Sequence, residues 1–258
     1  MQEKKYFYLI EIQYLGFRLH GWQHQPGVKT VQGMINKTLK FVLPENKVKT
    51  IGGSRTDAKV SSNQSFFELF TDKPIRDDFL EEFNLNLPQD IRALSVEEVD
   101  VKFNIIQHPK IKEYNYLFAF GQKAHPFASS LVSTFQENLD IEKMIDAAKV
   151  FQGHHSFHSF VVGASEKTKV ERTVIESEII ENTLYQANFF PEKTYLFKVK
   201  GEGFMRYQIR LMMGALVRIG NGQLSKEDLI DVLKDKEKRL VQFSAPASGL
   251  ILQSIELD

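Results

Sequence analysis

Residues 47–70, KVKTIGGSRTDAKVSSNQSFFELF, hold two strand-like runs around one compact turn. Residues 47–53 and 63–70 read as strands, and Gly52 and Gly53 open the turn region that contains SRTDAK. Outward from this pair the pattern is regular. Residues 6–14, YFYLIEIQY, are dense in aromatic and β-branched side chains and read as a buried strand. Val31, Met34, Ile35, Leu39 and Val42 fall at helical intervals over residues 31–43. On the far side, residues 76–86 read as a helix and 91–99 as a short strand after Pro88. The order is β-α-β-β-α-β, that of a ferredoxin-like unit.

The second half follows a similar order with longer loops. Strand-like runs cover residues 112–120, 172–180, 184–190, 194–201 and 249–256, and helices are predicted at 140–151, 205–219 and 225–234. The fold class is α+β: two ferredoxin-like halves with antiparallel sheets, residues 1–102 and 103–258, with the boundary near residue 103.

Composition narrows the chemistry. The 258 residues include no cysteine, which excludes a disulfide framework, a thiolate metal site and a cysteine nucleophile. Glu11 and Arg18 interrupt the apolar stretches near the N-terminus, so neither a signal peptide nor a membrane span is expected. Lys and Arg total 33 and Asp and Glu total 33, a neutral balance that argues against a broad nucleic-acid surface. The charge is unevenly spread, however. Residues 1–60 carry a net charge of +6, residues 61–100 carry −7, and residues 198–218 carry +4. Such asymmetry can build a local positive face, because fields are screened over about 10 Å. It can equally neutralise itself across the fold.

Three segments could carry chemistry. In Gly52-Gly53-Ser54-Arg55-Thr56-Asp57-Ala58 a guanidinium and a carboxylate lie two residues apart. Asp57 is either a functional carboxylate or a turn aspartate bonded to its own backbone. Residues 14–23, YLGFRLHGWQ, place Arg18, His20 and the single tryptophan in a loop, where Trp22 either serves function or covers a core. Arg206 and Arg210, four apart in the run from Gly203, would share a helix face suited to phosphate or to surface ion pairs. Met205, Ile209, Met212, Met213 and Leu216 form the opposite, core-like stripe. His154, His155 and His158 have metal-like spacing, but Gly153 favours a loop and no Glu lies between them, so no metal site is assigned.

Together these strings resemble the tRNA pseudouridine synthase A (TruA) family over nearly the whole chain. The family's Y-x-G-x-x-x-x-G-W-Q stands as Tyr14 to Gln23, and its G-R-T-D-A-G-V-H as Ser54 to Ser61. N-x-N-L-P-x-D-I stands as Asn84 to Ile91, and Y-x-Y as Tyr114-Asn115-Tyr116, eleven residues after Phe103. The G-x-H-D-F-x-x-F string is similar to Gly153–Phe160. F-x-x-x-x-V-R-x-x-x-G stands as Phe204 to Gly214, and P-x-x-G-L-x-L as Pro246 to Leu252. Lys59 and Ser61 stand where the family has Gly and His, and a Lys there takes a positive φ only at a cost.

The resemblance implies two facing halves around a basic cleft. It also implies isomerisation of uridine to pseudouridine in the anticodon stem-loop of tRNA (family positions 38–40), without cofactor or metal. Asp57 would be the catalytic carboxylate, acting at C1′ or at the 2′ position. Tyr114 would stack on the flipped uracil and accept the C5 proton, and Arg210 would keep Asp57 ionised. Arg55, Thr56, Tyr114 and Leu250 would bind the substrate nucleotide. Arg18, His20, Lys59, Lys112, Phe204, Arg206 and Gln208 would contact RNA. A cytoplasmic homodimer acting on tRNA is expected. The competing possibilities are a non-catalytic RNA-binding relative and an unrelated two-domain enzyme with a small-molecule pocket.

Overall fold

The computed structural model describes residues 5–165, 167–234 and 243–257. The chain divides into two compact units. The first runs to Lys110 and takes in the residues from Leu252 onward; the second is Ile111–Ile251.

In the first unit the elements run β1 (Tyr6–Tyr14), α1 (Val31–Val42), β2 (Val48–Gly52), β3 (Ser61–Thr71), α2 (Phe79–Asn86) and β4 (Ile91–Glu98). This is the order expected from the sequence, with β1 at its expected limits. β1 pairs antiparallel with β3 on one side and β4 on the other, and β2 pairs antiparallel with β3. The period of two along β1 sends Tyr8, Ile10, Ile12 and Tyr14 into one core. There they meet Val31, Ile35, Leu39 and Val42 of α1, and Phe79 and Phe83 of α2. Thr30 caps α1 by accepting the Gly33 N–H at 3.2 Å. Asn84 ties α2 to β4 with two bonds, its Nδ2 donating to the Ala93 carbonyl and its Oδ1 accepting the Ala93 N–H.

The division falls after Lys110 rather than near residue 103 because the Phe103–His108 turn is anchored in the first unit. Ile105 is fully buried there, its N–H directed at the Glu68 carboxylate. The last strand, β10 (Leu250–Leu257), also finishes in this unit, although the expected second domain ran to residue 258. It lies beside β3, where Ser62 Oγ donates to the Leu252 carbonyl.

The second unit contains β5 (Pro109–Phe120) from Ile111 on, β6 (Ser133–Phe135), α3 (Ile141–Ala148), β7 (Gly153–Ser156), β8 (Glu171–Glu181), β9 (Tyr195–Gly201), α4 (Gln208–Gly220) and α5 (Lys226–Lys234). Antiparallel pairs join β5 to β9, β9 to β8 and β8 to β7, while β6 runs parallel to β5. α4 is buried all round except at Arg210 and Arg218, so its core surface is wider than one stripe. The run 184–190, expected as a strand, is a turn-rich loop. Asn182 Oδ1 accepts the N–H groups of Leu184 and Tyr185 and so diverts the chain from a ladder. The loop then packs Tyr185, Phe189 and Phe190 against Leu117, Ala119 and Leu196. Among the described residues no helix is long and apolar enough to cross a membrane.

Candidate active site

The segment Tyr14–Gln23 and the loop Gly52–Ser61 fold against each other. The Trp22 N–H donates to the Thr56 carbonyl at 3.1 Å, and the Lys59 N–H donates to the Leu19 carbonyl at 2.9 Å. Tyr14 Oη and Thr56 Oγ1 are 2.8 Å apart in a buried hydrogen bond. Ser61 Oγ accepts the Gly16 N–H at 3.0 Å. Two glycines are dictated by this arrangement. Gly21 has φ +82°, and a Cβ there would lie 2.6 Å from the Thr56 carbonyl oxygen. A Cβ on Gly52 would lie 2.2 Å from Trp22 Nε1, so the indole, 1% exposed, packs directly on that backbone.

These bonds present Asp57 half-buried between buried Thr56 and exposed Ala58. The main chain turns sharply just after it, with the Val60 N–H donating to the Asp57 carbonyl at 3.2 Å. Lys59, where a glycine was expected, has φ +67°. The turn keeps its left-handed geometry despite a side chain that disfavours it. Arg55 and Lys59 are exposed and form no ion pair among the described residues. Lys59 Nζ lies 6.0 Å from the Phe17 ring centroid. Arg18 is 65% exposed at its side chain, yet both its Nε and Nη2 lie 2.9 Å from Asp90 Oδ2. His20 is exposed. Arg18, His20, Arg55, Thr56, Asp57 and Lys59 therefore belong to one locality of the first unit.

The remaining candidates gather in the second unit. Tyr114, on β5 opposite Val199, is 8% exposed, and its ring meets Phe204 edge-on with centroids 5.5 Å apart. Lys112 precedes it on the same strand face, and burial holds its ammonium below the usual lysine range. Arg210 Nε donates to the Ala245 carbonyl at 2.8 Å, and the Ala245 N–H returns a bond to the Arg210 carbonyl at 3.0 Å. Tyr116 Oη donates to the Pro246 carbonyl at 2.7 Å, and burial pushes this phenol far above its ordinary range. Ser133 Oγ accepts the Gly249 N–H. Three points thus pin residues 245–249 and set the start of β10, where Leu250 is 6% exposed.

Arg206 is exposed but precedes α4 instead of sharing its face with Arg210, because Tyr207 at the helix N-cap takes φ +66° and ψ 0°. Both guanidiniums still reach the Tyr207 ring, at 5.6 Å for Arg206 and 4.4 Å for Arg210. Gln208 is buried, its Oε1 accepting the Met205 N–H. His154 Nδ1 lies 3.1 Å from Thr173 Oγ1, and His155 Nε2 lies 2.9 Å from the Gln152 carbonyl.

A family profile described as tRNA pseudouridine synthase matches residues 147–258, which include Arg206, Arg210 and Leu250. Similar proteins extend the match to nearly the whole chain. The tRNA pseudouridine synthase A of Oenococcus oeni is 32% identical over 252 residues, 96% of this chain and 96% of that protein. The chain belongs to the tRNA pseudouridine synthase A family. The Thermosipho melanesiensis member is 33% identical over 96% of this chain and 98% of its own. That of Staphylococcus aureus is 34% identical over 97% and 91%. Membership makes this protein an enzyme of an isomerase family. It also gives physical sense to the strings that resemble tRNA pseudouridine synthase A: Tyr14, Gly21 and Trp22 hold the Asp57 loop, and Asn84 holds β4. Sequence reasoning assigned no duty to Tyr116, read only as part of Y-x-Y, or to Tyr207. The only available signal for Tyr207 was its position between two arginines.

Proposed function

We propose that this enzyme converts uridine to pseudouridine in the anticodon stem-loop of tRNA, with Asp57 as the catalytic carboxylate. The observation that carries this is the Asp57 loop itself. Its neighbours are locked by Tyr14, Gly21 and Trp22, and one of its residues keeps a costly backbone conformation, an investment a plain surface turn does not need. The element order and pairing of the first unit support a ferredoxin-like half. The exposed Arg55 and Lys59, which form no ion pair among the described residues, support a focused basic surface on a neutral protein. A cytoplasmic homodimer is part of the same proposal, on family resemblance.

The chemistry is redox-neutral and internal to one nucleotide, so side chains suffice. The N1–C1′ bond breaks while Asp57 either attacks C1′ or removes the 2′ proton. Uracil then rotates and C5 bonds to C1′, either displacing the Asp57 oxygen from C1′ or with Asp57 returning the proton to the 2′ position; the C5 proton leaves, and N1 ends protonated. Tyr114, backed by Phe204, supplies a stacking face for the extruded base and receives the C5 proton. Arg210 supplies the positive charge that keeps the carboxylate ionised. Leu250 lines the base site and Arg55 takes the place of the extruded base. Thr56 shapes the loop from within, and Arg18, His20, Lys59, Lys112 and Arg206 meet the RNA backbone. Gln208 contributes by fixing the start of α4.

The test is tritium release from tRNA carrying 5-³H-uridine, with a matched tRNA whose anticodon-arm uridines are replaced by cytidine. Release from the first and not the second is expected. Tight binding of tRNA with no release from any tRNA tried would instead mark a non-catalytic RNA-binding relative.

A further inference from the structure

Arg210 is held from two sides. Its Nε donates to the Ala245 carbonyl, and its guanidinium carbon lies 4.4 Å from the centroid of the Tyr207 ring. One hydrogen bond fixes an edge of the guanidinium but leaves its plane free to swing. A ring beneath it removes that freedom, because the planar cation is attracted to an aromatic face. The ring reaches this place from a left-handed backbone, φ +66° and ψ 0°, at the residue just before α4. Gly or Asn takes that conformation readily and Tyr does not.

The helix start does not itself call for an aromatic residue. Tyr207 makes no side-chain capping bond. Gln208 Oε1 accepts the Met205 N–H, and the Tyr207 contribution is a backbone one, its carbonyl accepting the Leu211 N–H at 2.9 Å. Any residue able to adopt φ > 0 would serve there. The left-handed backbone brings the ring under Arg210, its nearer cation at 4.4 Å against 5.6 Å for Arg206.

We propose that Tyr207 is a positioning residue for Arg210: its ring sets the guanidinium plane, and the left-handed backbone is tolerated because it places the ring there. This rests on the catalytic role of Arg210 given above. A residue needed only for folding and one needed for positioning then differ in sign. Removing the ring while suiting the backbone should spare stability and harm turnover.

The experiment compares Tyr207→Asn, Tyr207→Phe, Arg210→Ala and the double variant Tyr207→Asn/Arg210→Ala. Tritium release at saturating and limiting tRNA gives kcat and KM, and thermal melting is followed on the same samples. Tyr207→Asn is expected to keep or raise Tm and to lower kcat about tenfold, with KM changed less than about twofold. Tyr207→Phe should retain wild-type kcat. The double variant should be no slower than Arg210→Ala alone, since the ring then has nothing to orient. Wild-type kcat in Tyr207→Asn, a fall in kcat matched by a fall in Tm, or full additivity in the double variant would each overturn the proposal. Absence of release by the unaltered protein would overturn the reaction itself, and the role of Tyr207 with it.

Discussion

Gly21→Ala tests how the Asp57 loop is held, and Gly27→Ala is its internal control. Both glycines have positive φ, +82° and +79°, but a Cβ at Gly27 meets nothing within 4 Å, whereas one at Gly21 lies 2.6 Å from the Thr56 carbonyl oxygen. The backbone strain of an L-residue, about 1–2 kcal/mol, is common to both, and the stiffer unfolded chain offsets about 0.4–1 kcal/mol of it. Gly27→Ala should therefore lose roughly 0.5–1 kcal/mol, a fall in Tm of about 1–4 °C for a chain of this size. In Gly21→Ala the Thr56 carbonyl must also retreat by about 0.8 Å to restore an ordinary contact, which breaks its bond from the Trp22 N–H and adds about 1 kcal/mol. The displaced residue is next to Asp57. A misplacement near 1 Å can lower a rate about a hundredfold, so kcat should fall roughly 10- to 100-fold in Gly21→Ala and not in Gly27→Ala. Thermal melts and tritium release on both variants check this. Equal Tm shifts with kcat preserved in Gly21→Ala would refute the argument that the Tyr14–Gln23 segment positions the carboxylate.

Other perturbations follow from the same geometry. Lys59→Gly relieves the left-handed strain and should stabilise the protein by about 0.5–1 kcal/mol, read by denaturant melts. The same change removes one exposed cation, so the slope of log affinity for tRNA against log salt should become shallower by about 1. Glu68 is 2% exposed, and burial raises its carboxyl above the usual range against the opposing Ile105 N–H, His108 and Lys49. The folded state thus holds this proton more tightly than the unfolded one, and stability falls as pH rises from the ordinary carboxylate value through the raised one. Glu68→Gln should melt higher than the unaltered protein at pH 8, with the gain shrinking only as acidification passes through the raised value towards the ordinary one, as thermal melts across pH will show. A gain that is constant with pH would mean that the effect is not the buried charge.

Periodicity revealed most of the architecture. The aromatic and β-branched run Tyr6–Tyr14 has no other way to bury alternate residues, and Val31, Ile35, Leu39 and Val42 have only a helix on which to share a face. The failures were local hydrogen bonding that overrode composition. Residues 184–190 have strand-like side chains, but Asn182 satisfies the next backbone donors and the run becomes a covering loop. α4 begins at Gln208 rather than near Met205 because Tyr207 adopts a conformation that no propensity assigns to tyrosine. Ile105 binds the turn after β4 to the first unit by burial against Gly53, a contact over fifty residues that no local pattern carries.

For the candidate site, residue identity was legible and physical duty often was not. Asp57, Tyr114 and Arg210 stood out through resemblance, as did the glycine position now filled by Lys59. Gln208, expected among the RNA contacts, is buried and bonded to the Met205 N–H. The clamp from Tyr14 to Thr56 joins residues 42 apart in sequence, a separation at which pattern alone gives no partner.

The central claim, that Asp57 performs the isomerisation, is tested most directly by Asp57→Asn. The side chain is nearly isosteric, so the loop bonds of Thr56, Lys59 and Val60 can persist while the carboxylate is lost. Tritium release in single turnover and tRNA affinity should be measured on the same preparations. The expected result is affinity within a few-fold of the unaltered protein and no release above background. Release at a comparable rate from Asp57→Asn, with tRNA still bound, would contradict the assignment and place the catalytic group elsewhere.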